Sequence, residues 1–319
     1  VMMSAHVTEE SRAVERGERH RPSHADSQLA SGKSHRIEGA YLWMLIPAVV
    51  LFTGLIMVPL CQGIFYTFTN YHGYGNWNFI GLRNYEALFS DEIIWHSYKF
   101  TFTYAITGTI AVNVISLFLA LLLNARIAAR NAWRGLFFVP YLLPVLIIAY
   151  IFSYLFTNNL PAIGAALGID WLSTSLLANE RLAWVAIVVV GVWQAVAFNT
   201  LIYLAGLQTV PAEVYEAASV DGAVGWRKFS RITFPLIMPF FTINVILSFK
   251  NFLGVFDQVV AMTNGGPGTS TQSIAFLIFS NGFKGGEYAY QTANGVIYFL
   301  IVLVLSFIQL RFLQSKERV

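Results

Sequence analysis

Two sets of residues in this chain have the types and spacing to hold a polar solute. Asn244, Ser248, Asn251 and Val255 lie four, three and four residues apart, which sets them along one face of a helix with Phe252 beside them. Trp193, Gln194, Phe198 and Asn199 recur at near-helical spacing earlier in the chain. Amides and hydroxyls exchange hydrogen bonds with solute hydroxyls, and aromatic rings stack on the C–H face of a sugar ring. The competing reading is that the same polar groups join helix to helix. Other chemistry is poorly served. There is no HExxH, no GxSxG and no paired intramembrane carboxylate, and Cys61 stands alone, so neither a disulfide framework nor a thiolate metal site is available. Four of the six histidines (His6, His20, His24 and His35) sit in the polar first part of the chain and read as water-facing side chains rather than as a weak metal site. No catalytic residue and no metal site is expected.

The elements that must position these residues are membrane helices. Of 319 residues 56% are hydrophobic and only 12% charged, with a mean hydropathy of +0.59. Soluble domains carry about a quarter charged residues, so lipid must be the solvent for most of this chain. Six apolar segments are long enough to cross hydrocarbon, which takes about 20 helical residues: 41–66, 98–124, 134–156, 182–207, 236–256 and 291–312. Runs such as AWVAIVVVGVW do not alternate, so these are helices rather than barrel strands. The fold expected is all-α and integral to the membrane. Residues 1–39, rich in Ser, His, Arg and Glu, are expected to be a disordered tail, and 40–319 the membrane domain. Fifteen Lys and Arg fall on one side of the spans (Arg126, Arg130, Arg134, Arg227, Lys228 and Arg231 among them) and three on the other (Arg83, Arg181 and Lys284). Positive loops stay inside, which makes both termini cytoplasmic.

The loop of about 208–235 between spans four and five is then cytoplasmic and strongly patterned. Pro211 suits the first position of a helix, Glu213 complements the positive end of its dipole, and Val214, Ala217 and Ala218 share a face. Gly222 suits its stop. A second short helix is expected over 224–232, with Pro235 starting span five. Glu216-Ala217-Ala218, Gly222, Ile232 and Phe234-Pro235 carry the spacing of the EAA motif, and the chain resembles the permease subunits of bacterial binding-protein-dependent ABC importers. The motif has Leu where this chain has Phe234. Phe256-Asp257 and Met262-Thr-Asn-Gly-Gly-Pro-Gly268 are similar to the external stretch of the carbohydrate branch, which includes the maltose-type first permease and its glycerol-phosphate relative.

The resemblance, which covers about 40–315, implies six transmembrane helices of the type I ABC importer permease kind with a cytoplasmic coupling helix. It implies Glu216, Ala217, Ala218, Asp221 and Gly222 as the ATPase-coupling residues. Counted without gaps from the motif, it places a sugar site on Gln194, Ala195, Phe198, Ser248, Asn251, Phe252 and Val255. Asn251-Phe252 reverses the family's Phe-Asn order, and Val255 stands where the family has an amide. The implied partners are a second homologous permease, ABC ATPase subunits, an extracytoplasmic solute-binding protein, a sugar or oligosaccharide, and lipid of a bacterial cell membrane. No nucleic acid is expected. Gly32-Lys33-Ser34 looks like the end of a phosphate-binding loop, but Ser27 stands where that loop needs glycine. No cofactor is therefore expected in this chain, with ATP and Mg held by the partner ATPase. A secondary transporter without an ATPase is the alternative; it calls for two similar halves and intramembrane acids. Lys250 is left between snorkelling outward, facing a cavity and pairing with Asp257. The run Asn264-Gly-Gly-Pro-Gly268 is left between a clasp on the binding protein and a tight turn.

Overall fold

The computed structural model describes residues 41, 43–125 and 129–316. The polar tail predicted over 1–39, with its four histidines, lies outside the described residues, as does Arg126. Among the described residues the chain is helical, apart from one isolated bridge between Thr69 and Phe79. The described residues up to Gln62 belong to one unit and those from Gly63 onward to a second. Apart from Tyr41, the described residues of the first unit are those of the apolar helix α1 (Trp43–Tyr66) up to Gln62, and the Trp43, Phe52 and Leu55 side chains are exposed.

In the second unit the amphipathic helix α2 (Arg83–Ser90) precedes α3 (Glu92–Asn124), which starts six residues before the predicted span. Asp91 explains the early start: its carboxylate accepts from the Ile93 and Ile94 amides and caps the helix. The third span differs more. A continuous helix was predicted over 134–156, but two helices form, α4 (Arg130–Leu142) and α5 (Val145–Ala166). Pro144 forces Leu143 into an extended conformation (ψ 138°) and breaks the chain there. Only α5 is long and apolar enough to cross on its own.

Helix α6 (Ala183–Thr209) carries span four and leads into the loop helices α7 (Ala212–Val220) and α8 (Gly225–Leu236). Span five is α9 (Met238–Leu253), bent 73° from α8 at Ile237. Pro235 was expected to start the span. It sits instead inside α8, and the new helix opens with Pro239 in its first turn, where a missing N–H costs nothing. Two further helices, α10 (Asp257–Met262) and α11 (Ile274–Lys284), occupy the stretch read as an external loop, before α12 (Tyr288–Lys316). Together these give five spans, or six with the bent pair counted as one.

Helices α3, α6 and α9 form the centre, held by buried polar groups rather than by shape alone. Asn113 Nδ2 donates to Ser248 Oγ (3.0 Å), Tyr203 Oη donates to Asn113 Oδ1 (2.6 Å), and Asn244 Nδ2 donates to the Asn199 carbonyl (3.1 Å). Ser116 Oγ joins α3 to the Val196 carbonyl of α6 at 3.2 Å. In hydrocarbon an unpaired polar group is costly, so these bonds fix helix register.

Candidate functional site

A cavity of about 640 Å³ opens beside this polar seam. Six of the seven predicted sugar-site residues line it: Gln194, Ala195, Ser248, Asn251, Phe252 and Val255. Their availability differs. The Asn251 side chain is exposed, lines the cavity and makes no hydrogen bond among the described residues. Ser248 is buried, donates to the Asn244 carbonyl (2.6 Å) and accepts from Asn113, so most of its capacity serves the helix seam. Asn244, one turn further, is fully buried between helices and does not line the cavity. The stripe read from the sequence therefore divides: its Asn244–Ser248 part joins helices, and its Asn251–Val255 part faces the cavity.

Gln194 does two things. Its Nε2 donates to the Leu143 carbonyl at 3.1 Å, a group freed by the break before Pro144, while the side chain forms part of the cavity wall. Phe198, the seventh residue, is not itself a wall residue. Its ring stacks on Tyr141 (5.1 Å, 17°), and Tyr141 faces the cavity in its place. Trp193 turns to a different side of α6, against Phe152 at 5.2 Å and an apolar groove.

Phe252 is wedged into the bundle. A Cβ at Gly108 would lie 2.8 Å from its ring, and one at Gly191 would lie 3.3 Å from it, so two glycines make room for it. Its other neighbour is Tyr104, edge-on at 5.4 Å. Tyr104 is 1% exposed, lines the cavity, and finds no hydrogen-bond partner for its hydroxyl among the described residues. Asn199 Oδ1 is likewise buried without a partner on the same wall. Asp257 and Gln258, at the start of α10, add a carboxylate and an amide. Tyr104, Tyr141 and Gln258 were not singled out in the sequence. Ser97, Thr101, Thr109, Asn113 and Ser116 recur along the buried side of α3, a polar signal near Tyr104, whereas nothing local marks Tyr141; the crossing of α3, α4 and α6 brings the two to one place. Lys250 is exposed, does not line the cavity and forms no ion pair with Asp257. Two carbonyls freed where α9 ends find partners: Tyr298 Oη donates to Leu253 O (2.7 Å) and Ser273 Oγ to Val255 O (2.7 Å).

The loop of the second candidate set is built as a rigid corner. Pro211 is the cap of α7 rather than its first helical residue. Helix α7 ends in a Schellman arrangement, with the Ala223 amide on the Ala218 carbonyl (2.8 Å) and the Gly222 amide on Ser219 (3.2 Å). Gly222 holds φ +69°, a conformation that needs glycine there. Ala218 is 3% exposed and turns inward, while Glu216, Ala217 and Asp221 are exposed. The Lys228 ammonium sits 4.5 Å over the Tyr215 ring and braces α8 against α7. Trp226, Phe229, Phe234 and Phe241 follow one another at 5.2, 5.8 and 5.3 Å, a chain of rings that crosses the 73° bend into α9. Phe234, where the motif has Leu, is a link of that chain. Val220, Val224 and Trp226 are 87%, 74% and 77% exposed, an apolar patch beside Gly222.

The run Asn264–Gly268 is a tight, internally bonded turn. Thr271 Oγ1 donates to the Gly266 carbonyl, the Asn264 amide bonds Val259 O at 2.7 Å, and Gly265 lies against the Phe276 ring with no room for a side chain.

A many-span helical bundle with a polar cavity at its centre and a projecting helical corner is the build of a membrane transport protein. The model of the family described as "binding-protein-dependent transport system inner membrane component" matches residues 112–318, and the chain belongs to that family. The family comprises transport components, not enzymes. The chain is 35% identical to the multiple sugar-binding transport system permease protein MsmF of Streptococcus mutans over 274 residues, 86% of this chain and 94% of that one. It is 35% identical over 280 residues to AmyD of Thermoanaerobacterium thermosulfurigenes, described as a probable starch degradation products transport system permease, covering 88% and 96%. Among solved structures, a chain of a bacterial ABC transporter that imports the acidic polysaccharide alginate superposes with a TM-score of 0.77 at 21% identity, over 90% of this chain and 99% of that one. At that identity the likeness speaks to fold.

Proposed function

We propose that this chain is the membrane-spanning permease of an ATP-driven importer for neutral sugars or short oligosaccharides, working with a second, similar permease and separate ATPases. An extracytoplasmic binding protein would deliver the solute, the cavity would hold it, and the α7–α8 corner would receive the ATPase stroke. The observation that carries the reading is the cavity itself. At about 640 Å³ it falls within the roughly 300–1,000 Å³ of small-molecule sites. Its wall offers a free amide (Asn251), an unpartnered phenol (Tyr104) and an aromatic face (Tyr141), the combination that binds polyols. The names of the relatives, MsmF and AmyD, point to the same solute class.

The asymmetry of fifteen to three in Lys and Arg supports a cytoplasmic position for the corner and both termini, in a bacterial cytoplasmic membrane. In that position Glu216 pairs with a basic residue of the ATPase, exposed Ala217 permits close approach, and the Val220–Val224–Trp226 patch supplies apolar contact. Asp221 and Gly222 set the turn, and inward-facing Ala218 seats α7 on its own chain. ATP and Mg belong to the ATPase. The test is Glu216→Arg in the reconstituted transporter: ATP hydrolysis should continue while sugar uptake falls to background with insertion intact. Unchanged uptake would remove the coupling role.

A further inference from the structure

A second pocket, separate from the central cavity, lies between the N-terminal ends of α3 and α6 and the loop that follows α10. Its volume is about 310 Å³. Lys99 and His96 enter from α3, Glu180 from the turn before α6, Trp184 from its first turn, and Ser270 from the loop; Phe100 also lines it. Ser270 Oγ is buried there without a hydrogen-bond partner among the described residues. Phe100 stacks on Tyr104 at 6.0 Å, one helical turn away, and Tyr104 is a wall of the central cavity. A two-ring partition therefore separates the two spaces.

The chemistry of the pocket is selective. A lone carboxylate offers too few ligands for a metal ion but accepts a pair of hydroxyl hydrogens. The Lys99 ammonium donates to oxygen, and the Trp184 ring offers a flat apolar face to ring C–H bonds. Lys99 and Glu180 cancel in charge, so the site favours an uncharged polyol over an acidic sugar. Its size suits a ring or two at the small end of ligand sites, about 300 Å³. On the orientation argued above, this end of the bundle faces outward. We propose that the pocket is an outer saccharide station, which holds one end of a neutral oligosaccharide before the solute reaches the cavity beyond Phe100 and Tyr104. The proposal rests on the carbohydrate reading of the cavity and adds a second site to it.

The test is photolabelling of the assembled transporter with a diazirine-bearing maltotriose, competed by free maltotriose and mapped by mass spectrometry. Label should appear on peptides covering 96–103 and 180–184 as well as on 248–258. Glu180→Gln, a conservative change at an exposed side chain, should lower competed label on 96–103 by roughly ten-fold, the effect of losing a charged hydrogen-bond partner, and leave 248–258 unchanged. Trp184→Leu should do the same, and Trp184→Phe should restore most of the label. Should Trp184→Leu fail to assemble, Glu180→Gln carries the test alone. Competed label on 248–258 only, or label on 96–103 indifferent to Glu180→Gln, overturns the outer station and leaves the carbohydrate reading standing. Label that free maltotriose does not compete at either place overturns that reading and the station with it.

Discussion

Gly191→Ala puts the closeness of α3, α6 and α9 to a quantitative test. A Cβ at Gly191 would run into the Tyr104 hydroxyl oxygen, with Tyr104 Cζ and Phe252 Cε1 both at 3.3 Å. Overpacking of a close-fitted site costs about 1–3 kcal/mol, and here the offending atom is a single oxygen. Tyr104→Phe removes that oxygen and leaves nearest neighbours at 3.3 Å, a distance the rings relieve by shifting a few tenths of an ångström. The Tyr104 hydroxyl has no hydrogen-bond partner among the described residues, so Tyr104→Phe alone should cost under about 0.5 kcal/mol. The pair should then show a coupling of about 1–2 kcal/mol, in the range of residues in contact. The assay is equilibrium unfolding of the purified full chain in mixed micelles, for wild type, both single variants and the double variant. Gly206→Ala serves as control: its Cβ would lie 2.6 Å from the Phe240 ring, so it should destabilise to a similar extent and gain nothing from Tyr104→Phe. Equal cost of Gly191→Ala in both backgrounds would refute the argument.

Asn113→Leu removes the donor to Ser248 and the acceptor for Tyr203; Ser248 keeps its bond to the Asn244 carbonyl, but the buried Tyr203 hydroxyl loses its acceptor, which should cost about 1–3 kcal/mol in the same unfolding assay. A loss under 0.5 kcal/mol would show that the seam does not hold the helices. Gly222→Ala meets no steric contact but must keep φ +69°, so it should cost about 1–2 kcal/mol at the α7 stop and weaken the coupling of hydrolysis to uptake; full coupling would contradict the rigid-corner account. Lys250→Gln, an exposed change away from the cavity, should leave uptake and stability within about 0.5 kcal/mol of wild type.

Much of this molecule is legible in its residues because lipid imposes a simple rule: apolar runs must be helices. That rule locates the spans, and the spacing around Glu216 and Gly222 locates the corner. It does not locate the break at Pro144, since the surrounding run is apolar whether or not the chain turns there. Nor does it say which face of α6 is inward. Trp193 and Gln194 are neighbours in sequence but about 100° apart around the helix, and only the tertiary arrangement sends one to an apolar groove and the other to the cavity. Ser248 and Asn244 carry the residue types of a binding stripe yet spend them on Asn113 and Asn199. Of the missed walls, Tyr104 lies on α3, whose polar row Ser97, Thr101, Thr109, Asn113 and Ser116 marks an inward face without saying whether it meets a cavity or a neighbouring helix, and Tyr141 lies in an aromatic and apolar stretch that marks no face. Phe198 belongs to the same lesson: it supports the aromatic wall through Tyr141 rather than forming it.

The central claim is that the α7–α8 corner is the contact through which an ATPase moves the cavity. Cys61 is the chain's single cysteine, so Cys61→Ser gives a background in which Ala217→Cys carries a unique thiol on the exposed face of α7. Cross-linking this variant in the assembled transporter and identifying the joined peptide addresses the claim directly. A peptide of the ATPase subunit is the expected result. A thiol that joins no ATPase peptide, or that reacts with an impermeant reagent applied from outside the cell, would contradict it.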